Sequence, residues 1–270
     1  MSKQPKVIVL RTAGTNCDSE TAFAFAHFGA QVDSVHIDAL YRHETHLREY
    51  HILAVPGGFT YGDDIESGRI LANELRHHLG ADLGEFIAAG KLIIGICNGF
   101  QVLVKAGILP GPVDAATLTA KKTSQTVSLT HNDSGKFEDR WTYLRVEGHS
   151  VWTKGLDELV YYPVAHAEGK FVADPDLLQR LSGSHQIAFR YCSFEGNDPA
   201  YPENPNGSLG DVAGITDPSG RILGLMPHPE RHFFTTQHPF WTRLPVNGRL
   251  GQGALIFENG VNYVREHFCQ

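Results

Sequence analysis

The chain has few cysteines, no long apolar run and no surplus of positive charge, and each shortage excludes something. Its four cysteines, Cys17, Cys97, Cys192 and Cys269, lie far apart in 270 residues. They form no C-x-x-C pair and no short secreted framework, so reduced thiols in a cytoplasm are the expectation. No stretch approaches the roughly 18 uninterrupted apolar residues of a membrane span. The apolar run near the start, Val7 to Leu10, is too short for a signal peptide. A formal charge of -7 argues against a nucleic-acid face and fits an enzyme with small-molecule substrates.

Several cofactor motifs are missing as well. No G-x-x-x-x-G-K-[ST] phosphate loop occurs; the nearest approach, around Gly90 and Lys91, has the wrong spacing and no following Ser or Thr. There is no G-x-G-x-x-G fingerprint. His43 with His46, and His77 with His78, read as solvated helix faces, so no metal site is expected. Neither a Gly/Ser- or Pro-rich linker nor a repeat divides the chain, which favours one domain.

What is present is an alternation of short apolar strands and helices. Strands are expected at Lys6–Leu10, Gln31–His36, His51–Val55 and Lys91–Ile96. Helices are expected at Asp18–Gly29, capped by Asp18 or Asn16, at Ile70–Leu79, and at Gly99–Ala106, closed by Gly107. That order implies a parallel sheet with helices on both faces. After Pro110 the pattern turns more antiparallel, with strands at Thr126–Thr130, Trp141–Glu147 and Ile222–Met226. The stretch Asn197–Gly210 is a loop, and Gly253–His267 a terminal helix.

The segment KLIIGICNGFQVL places Cys97 at the carboxyl end of the most apolar strand, just before a helix. Functional sites in open parallel sheets lie at such ends, and a tight strand-to-helix turn lifts its central side chain clear of the sheet. The helix N-terminus favours thiolate over thiol. Strand context alone leaves core filler equally open. Gly95 and Gly99, two residues to either side, tip the reading towards a nucleophile. Cys17 also sits between a strand and a helix, but without paired glycines it reads as a structural or site-edge residue. Cys192 and Cys269 are weaker still.

A thiolate needs a base and a group to orient it. In LGLMPHPERHF, His228 and Glu230 are two apart in a segment that Pro227 and Pro229 hold extended, so both side chains project to one face. Alone, H-P-E is a weak signal; after an apolar strand and beside an elbow cysteine it becomes strong. In AVPGGFTYGDD, Gly57 and Gly58 allow backbone N–H groups to face a bound group. With the N–H of Asn98 they form a candidate oxyanion hole, a plain tight turn being the other reading.

These residues resemble the Cys-His-Glu site of class I glutamine amidotransferases. More narrowly, the chain resembles the glutaminase subunits of phosphoribosylformylglycinamidine synthases. GTNCD, PGGFTYGDDIESGRI, GICNGFQVLVKAGILPG, PVAHAEGKF, FRYCS, NPNGSLGDVAGI and GLMPHPERHF carry the likeness, in the family's order, over about residues 6 to 234. The resemblance implies an α/β fold: a flavodoxin-like, mostly parallel sheet with helices on both faces and a more antiparallel second half. Residues 1–234 would form the amidotransferase domain and 235–270 a C-terminal extension packed on it.

It further implies Cys97 as nucleophile, His228 as acid and base, and Glu230 as the group that orients it. Gln101, Asn206, Gly207 and Ser208 would contact substrate, and His166 and Glu168 match a family motif of underived role. The implied reaction releases ammonia from L-glutamine for a separate synthase subunit in purine biosynthesis, with room for a small third subunit. The chain itself would need no cofactor; ATP and Mg would sit on the synthase. Two departures stand out: Ala13 replaces a usual Pro, and the chain is longer than many family members after His232. A stand-alone cysteine hydrolase of γ-glutamyl substrates and a non-catalytic assembly subunit are the competing readings.

Overall fold

The computed structural model describes residues 4–120, 125–148, 150–244 and 248–269. Residues 1–3 of the expected domain and residue 270 of the expected extension lie outside them. The first half runs β1 (Lys6–Arg11), α1 (Asp18–His27), β2 (Gln31–His36), α2 (Ile37–Tyr41), β3 (Ile52–Val55), α3 (Arg69–Ala88), β4 (Leu92–Ile96) and α4 (Asn98–Lys105). The second half continues with α5 (Ala115–Thr119), β5 (Val127–His131), β6 (Glu138–Val146), β7 (Leu159–His166) and β8 (Glu168–Ala173). It closes with α6 (Pro175–Gly183), β9 (Ile187–Cys192), β10 (Val212–Thr216), β11 (Ile222–Leu225) and α7 (Ala254–Phe268).

Among the described residues, nine strands form one sheet in the order β2-β1-β3-β4-β11-β10-β9-β6-β7, and β5 pairs with β8 apart from it. From β2 to β11 every pairing is parallel, in the strand order of flavodoxin-like sheets. From β11 to β7 every pairing is antiparallel. Burial follows this division. β3, β4 and β11 are buried along their whole length, as strands covered on both faces must be. β7 alternates buried with half-exposed residues, the mark of an antiparallel strand with one wet face. β2, a polar edge strand, has no fully buried residue.

The expected elements of the first half are present, with two physical corrections. α3 runs past Leu79 to Ala88 because Gly80 does not stop it. A Cβ there would lie 3.3 Å from Leu118 O, so this glycine admits the neighbouring α5 instead. The cap of α1 is Cys17, not Asp18 or Asn16, and no side chain caps it. Strands β7, β8 and β10 and helix α6 escaped the sequence pattern, although Asp174 followed by Pro175 is a legible helix start. After residue 234 the chain crosses the surface and returns as α7. That helix buries Phe257 against Phe25 of α1, with ring centroids 5.0 Å apart, and lays Gly260 on Trp152. Among the described residues no helix is long and apolar enough to cross a membrane.

α4 rests so closely on β3 that a Cβ at Gly99 would lie 1.8 Å from Val55 O, a contact neither backbone can relieve. Gly99→Ala is therefore expected to cost about 3 kcal/mol in denaturant unfolding. Gly183→Ala, whose new Cβ would meet nothing within 4 Å, should change stability by less than about 1 kcal/mol.

Candidate active site

β4 ends at Ile96 and the chain reverses into α4 through Cys97, which adopts φ 52 and ψ -109. For a non-glycine residue such a conformation costs about 1–3 kcal/mol and persists only where its surroundings enforce it. Here the Cys97 N–H donates to Leu225 O at 2.7 Å and the Gln101 N–H donates to Cys97 O at 3.2 Å. Gly95 and Gly99 let the strand and helix meet: a Cβ at Gly95 would lie 2.7 Å from Gly99 O. The sulfur points out of the turn, 3.7 Å from Ala165 O, and the residue is 5% exposed.

β11 runs parallel beside β4 and ends one residue before Met226, so His228 arrives next to the elbow. The His228 N–H donates to Pro163 O at 2.8 Å, which ties the segment to β7. Its ring Nδ1 lies 2.6 Å from Glu230 Oε1, and both side chains are buried. The pairing arises differently from the extended-chain expectation, because Pro229–His232 forms a 3-10 turn that curls Glu230 back onto the ring. Burial opposes a charge on His228, but the Glu230 carboxylate and the two cysteine sulfurs outweigh it. The ring is raised well above its ordinary value.

Gly57 fixes where these groups meet. A Cβ there would lie 2.8 Å from His228 Cε1, 3.1 Å from Cys17 Sγ and 3.4 Å from Cys97 Cβ, so only glycine fits. The glycine loop is anchored to the first loop through Gly57 O, which accepts from the N–H groups of Asn16 and Cys17, and through Phe59 N–H to Gly14 O. Those bonds use neither the Gly57 nor the Gly58 N–H. The first N–H groups of α4, that of Asn98 included, have no partner within their own helix. Gly57 and Asn98 border the elbow, whereas the neighbours of Gly58 belong to the first loop.

The remaining candidates are held in internal networks. Asn98 Oδ1 accepts from Thr60 N–H at 3.2 Å, and its Nδ2 donates to Gln101 Oε1 at 3.0 Å. Gln101 Nε2 donates in turn to Glu168 O. Asn206 is fully buried, donating to Gly169 O at 2.9 Å and accepting from Ser208 Oγ at 2.7 Å. Ser208 Oγ also receives the Phe171 N–H, and Gly207 N–H donates to Asn204 Oδ1. These groups are thus tied to one another and to β8, whatever else they contact.

His166 is buried with its Nδ1 3.1 Å from Asn132 Oδ1, and burial, helped by the charge on His228, pushes its ring down to about 3. Glu168 Oε2 lies 3.4 Å from the Ser67 N–H. The sequence reading missed Arg231, whose Nη2 donates to Cys17 Sγ at 3.1 Å. Its position directly after Glu230 was the available signal. Among the described residues, the one cluster of metal-capable groups is Cys17, His228 and Glu230. It coincides with this site, where the Arg231 guanidinium already supplies a cation.

Fold and elbow together define an amidotransferase of the glutamine-using class. The CobB/CobQ-like glutamine amidotransferase domain matches residues 4–264, and the chain belongs to that family. The chain is 49% identical to phosphoribosylformylglycinamidine synthase subunit PurQ of Dehalococcoides mccartyi over 267 residues, 97% of this chain and 98% of that protein. It is 41% identical to the protein of the same name from Archaeoglobus fulgidus over 275 residues, 97% of each chain. The length beyond residue 234 is thus shared with these relatives. Among solved structures, a chain of PurLQS from Thermotoga maritima matches with a TM-score of 0.72 and 28% identity, over 97% of this chain and all of that one.

Two outcomes are expected of this geometry. Gly57→Ala should push the His228 ring aside, lower glutamine turnover about 100-fold and, by overpacking a buried site, cost about 1–3 kcal/mol in denaturant unfolding. His166 should make stability fall as pH drops from about 6.5 towards 3, because in that window only the unfolded ring binds a proton. His166→Gln should flatten that slope in unfolding curves taken at stepped pH.

Proposed function

We propose that this glutamine amidotransferase is the glutaminase subunit of phosphoribosylformylglycinamidine synthase, and that Cys97, His228 and Glu230 carry its chemistry. The observation that bears the most weight is the buried 2.6 Å contact between His228 and Glu230, set beside the strained Cys97 elbow. A charged imidazole next to a sulfur favours the thiolate. The thiolate attacks the carboxamide carbon of L-glutamine, and the oxyanion forms against the N–H groups of Gly57, Gly58 and Asn98. His228 gives its proton to the leaving nitrogen, and ammonia departs as the thioester forms. The neutral ring then takes a proton from water, whose oxygen attacks the thioester and yields glutamate and the free sulfur. Gln101, Asn206, Gly207 and Ser208 shape the wall that receives the amino-acid end of the substrate.

The name shared by the relatives supports a synthase that converts formylglycinamide ribonucleotide to formylglycinamidine ribonucleotide, a step of purine biosynthesis. The chain has no phosphate-binding loop, so activation of the amide oxygen falls to an ATP- and Mg-using synthase subunit. The composition of PurLQS supports that partner and a small third one. Cys97 and His228 are 5% and 2% exposed, so glutamine reaches them only when the mouth opens. Opening by the synthase subunit would couple ammonia release to its use. Ammonia set free in water would be protonated and lost, and a covered path to the partner avoids that.

Reconstitution tests the assignment. With a purified synthase subunit, the glutamine-dependent rate should require this chain, whereas the ammonia-dependent rate should not. Cys97→Ser should abolish only the former, and His228→Ala should lower it by about 10² to 10⁴. Glutamine turnover that is the same with and without the synthase would contradict the coupling.

A further inference from the structure

Cys17 takes no part in the proposed reaction, yet its sulfur is buried beside the catalytic ring. It is 1% exposed and lies 3.9 Å from His228 Nδ1. Its thiol donates to Asn16 Oδ1 at 3.1 Å and accepts from Arg231 Nη2 at 3.1 Å. Although Cys17 stands at the start of α1, its side chain makes no capping bond there. Burial pushes the thiol up, so it is held as S–H.

The neighbouring carboxylate explains why this matters. Glu230 Oε1 serves His228, but Glu230 Oε2 is buried without a hydrogen-bond partner. Leaving such an oxygen unpaired is costly, and a guanidinium is its strongest natural partner. Arg231 follows directly in sequence. Its guanidinium nevertheless goes to Cys17 Sγ and, at 3.5 Å, to Glu20 Oε1. Were it to turn onto Glu230, the carboxylate would be shared with a permanent cation and would stabilise the imidazolium less.

We infer that Cys17 is a positioning residue: its sulfur holds the Arg231 guanidinium off Glu230 and so reserves that carboxylate for His228. The inference rests on the proposed roles of the triad. The groups that face His228 are Glu230 from its own turn, Cys97 from the elbow, Cys17 from the first loop and His166 from β7, while Arg231 bears on Cys17, Glu230, Glu20 and Cys97. His166 is neutral and Cys97 is the proposed nucleophile. Removing the Cys17 sulfur therefore acts in two ways, by loss of its own contact with the ring and by release of Arg231, and only the second is undone by taking the guanidinium away. An imidazolium that shares its counter-charge gives up its proton more readily, and the thiolate–imidazolium pair then forms only at higher pH.

The test follows alkylation of Cys97 in the full chain by iodoacetamide, read on the Cys97 peptide by mass spectrometry, across the acid and neutral range. Cys17→Ala should move the acid limb up by about one pH unit. Cys17→Ser, which keeps a small polar acceptor for the guanidinium, should stay near the wild type. The double variant Cys17→Ala with Arg231→Gln, which lacks the competing cation, should return the limb most of the way to its wild-type position, short only by the sulfur's own contact with the ring. A purely structural role for Cys17 would not be rescued in this way. An unmoved limb in Cys17→Ala, or a double variant that stays as far shifted as Cys17→Ala alone, overturns the inference. Should Cys17→Ala fail to fold, Arg231→Gln alone decides: the limb stays or falls if the guanidinium competes, and rises if it supports the pair. A wild-type limb that His228→Ala leaves unchanged would instead sink the triad reading itself.

Discussion

At Cys97 the backbone does what a side-chain-bearing residue ordinarily avoids, and the rest of the site depends on the sheet's ability to hold it there. The strand ends at Ile96 because α4 begins at Asn98 and folds back onto β3. The helix cannot start later, because Gly99 already touches Val55 O. Between those limits one residue makes the reversal, with φ 52, and its side chain is turned away from the sheet. Fully buried parallel strands on either side supply the rigidity that keeps the strained state populated.

From that point geometry spreads outward in two directions. β11, hydrogen-bonded to β4, carries the chain to His228 on the same edge of the sheet. The loop after β3 brings Gly57 under the imidazole, where the lack of a side chain lets the ring, the elbow and Cys17 share a space a Cβ would fill. The electrostatics follow from burial. A histidine this enclosed would lose its charge unless a carboxylate were paired with it, and Glu230 is that carboxylate, delivered by a tight turn instead of an extended strand. Arg231, one residue further on, puts a second cation close by, so the site also has to separate its charges.

How much of this the sequence discloses depends on the range of the interaction. The parallel half is legible because β3 and β4 are continuous apolar runs, and the nucleophile because Gly95 and Gly99 frame it locally. His228 and Glu230 are legible through their prolines, although the turn at Pro229–His232 is not, since an extended and a 3-10 path suit the same residues. β7 hides because Pro163 lies inside it, and β10 because Gly214 interrupts a short run where its register against β9 shifts. The flanks of Cys17 mark it only as a structural or site-edge residue, and nothing local to GTNCD shows that Arg231, 214 positions away, will reach its sulfur. Gln101 and Asn206 look like free amides in the sequence, but in the fold their donors are committed to Glu168 O and Gly169 O.

The central claim is that His228 is held as a cation by Glu230 next to the Cys97 sulfur. Nuclear magnetic resonance of ring-labelled histidine reads this directly. The account predicts that the His228 ring stays protonated well above the ordinary histidine value, and that Glu230→Gln brings its titration down. A His228 ring already neutral at mildly acidic pH in the wild-type chain would contradict it.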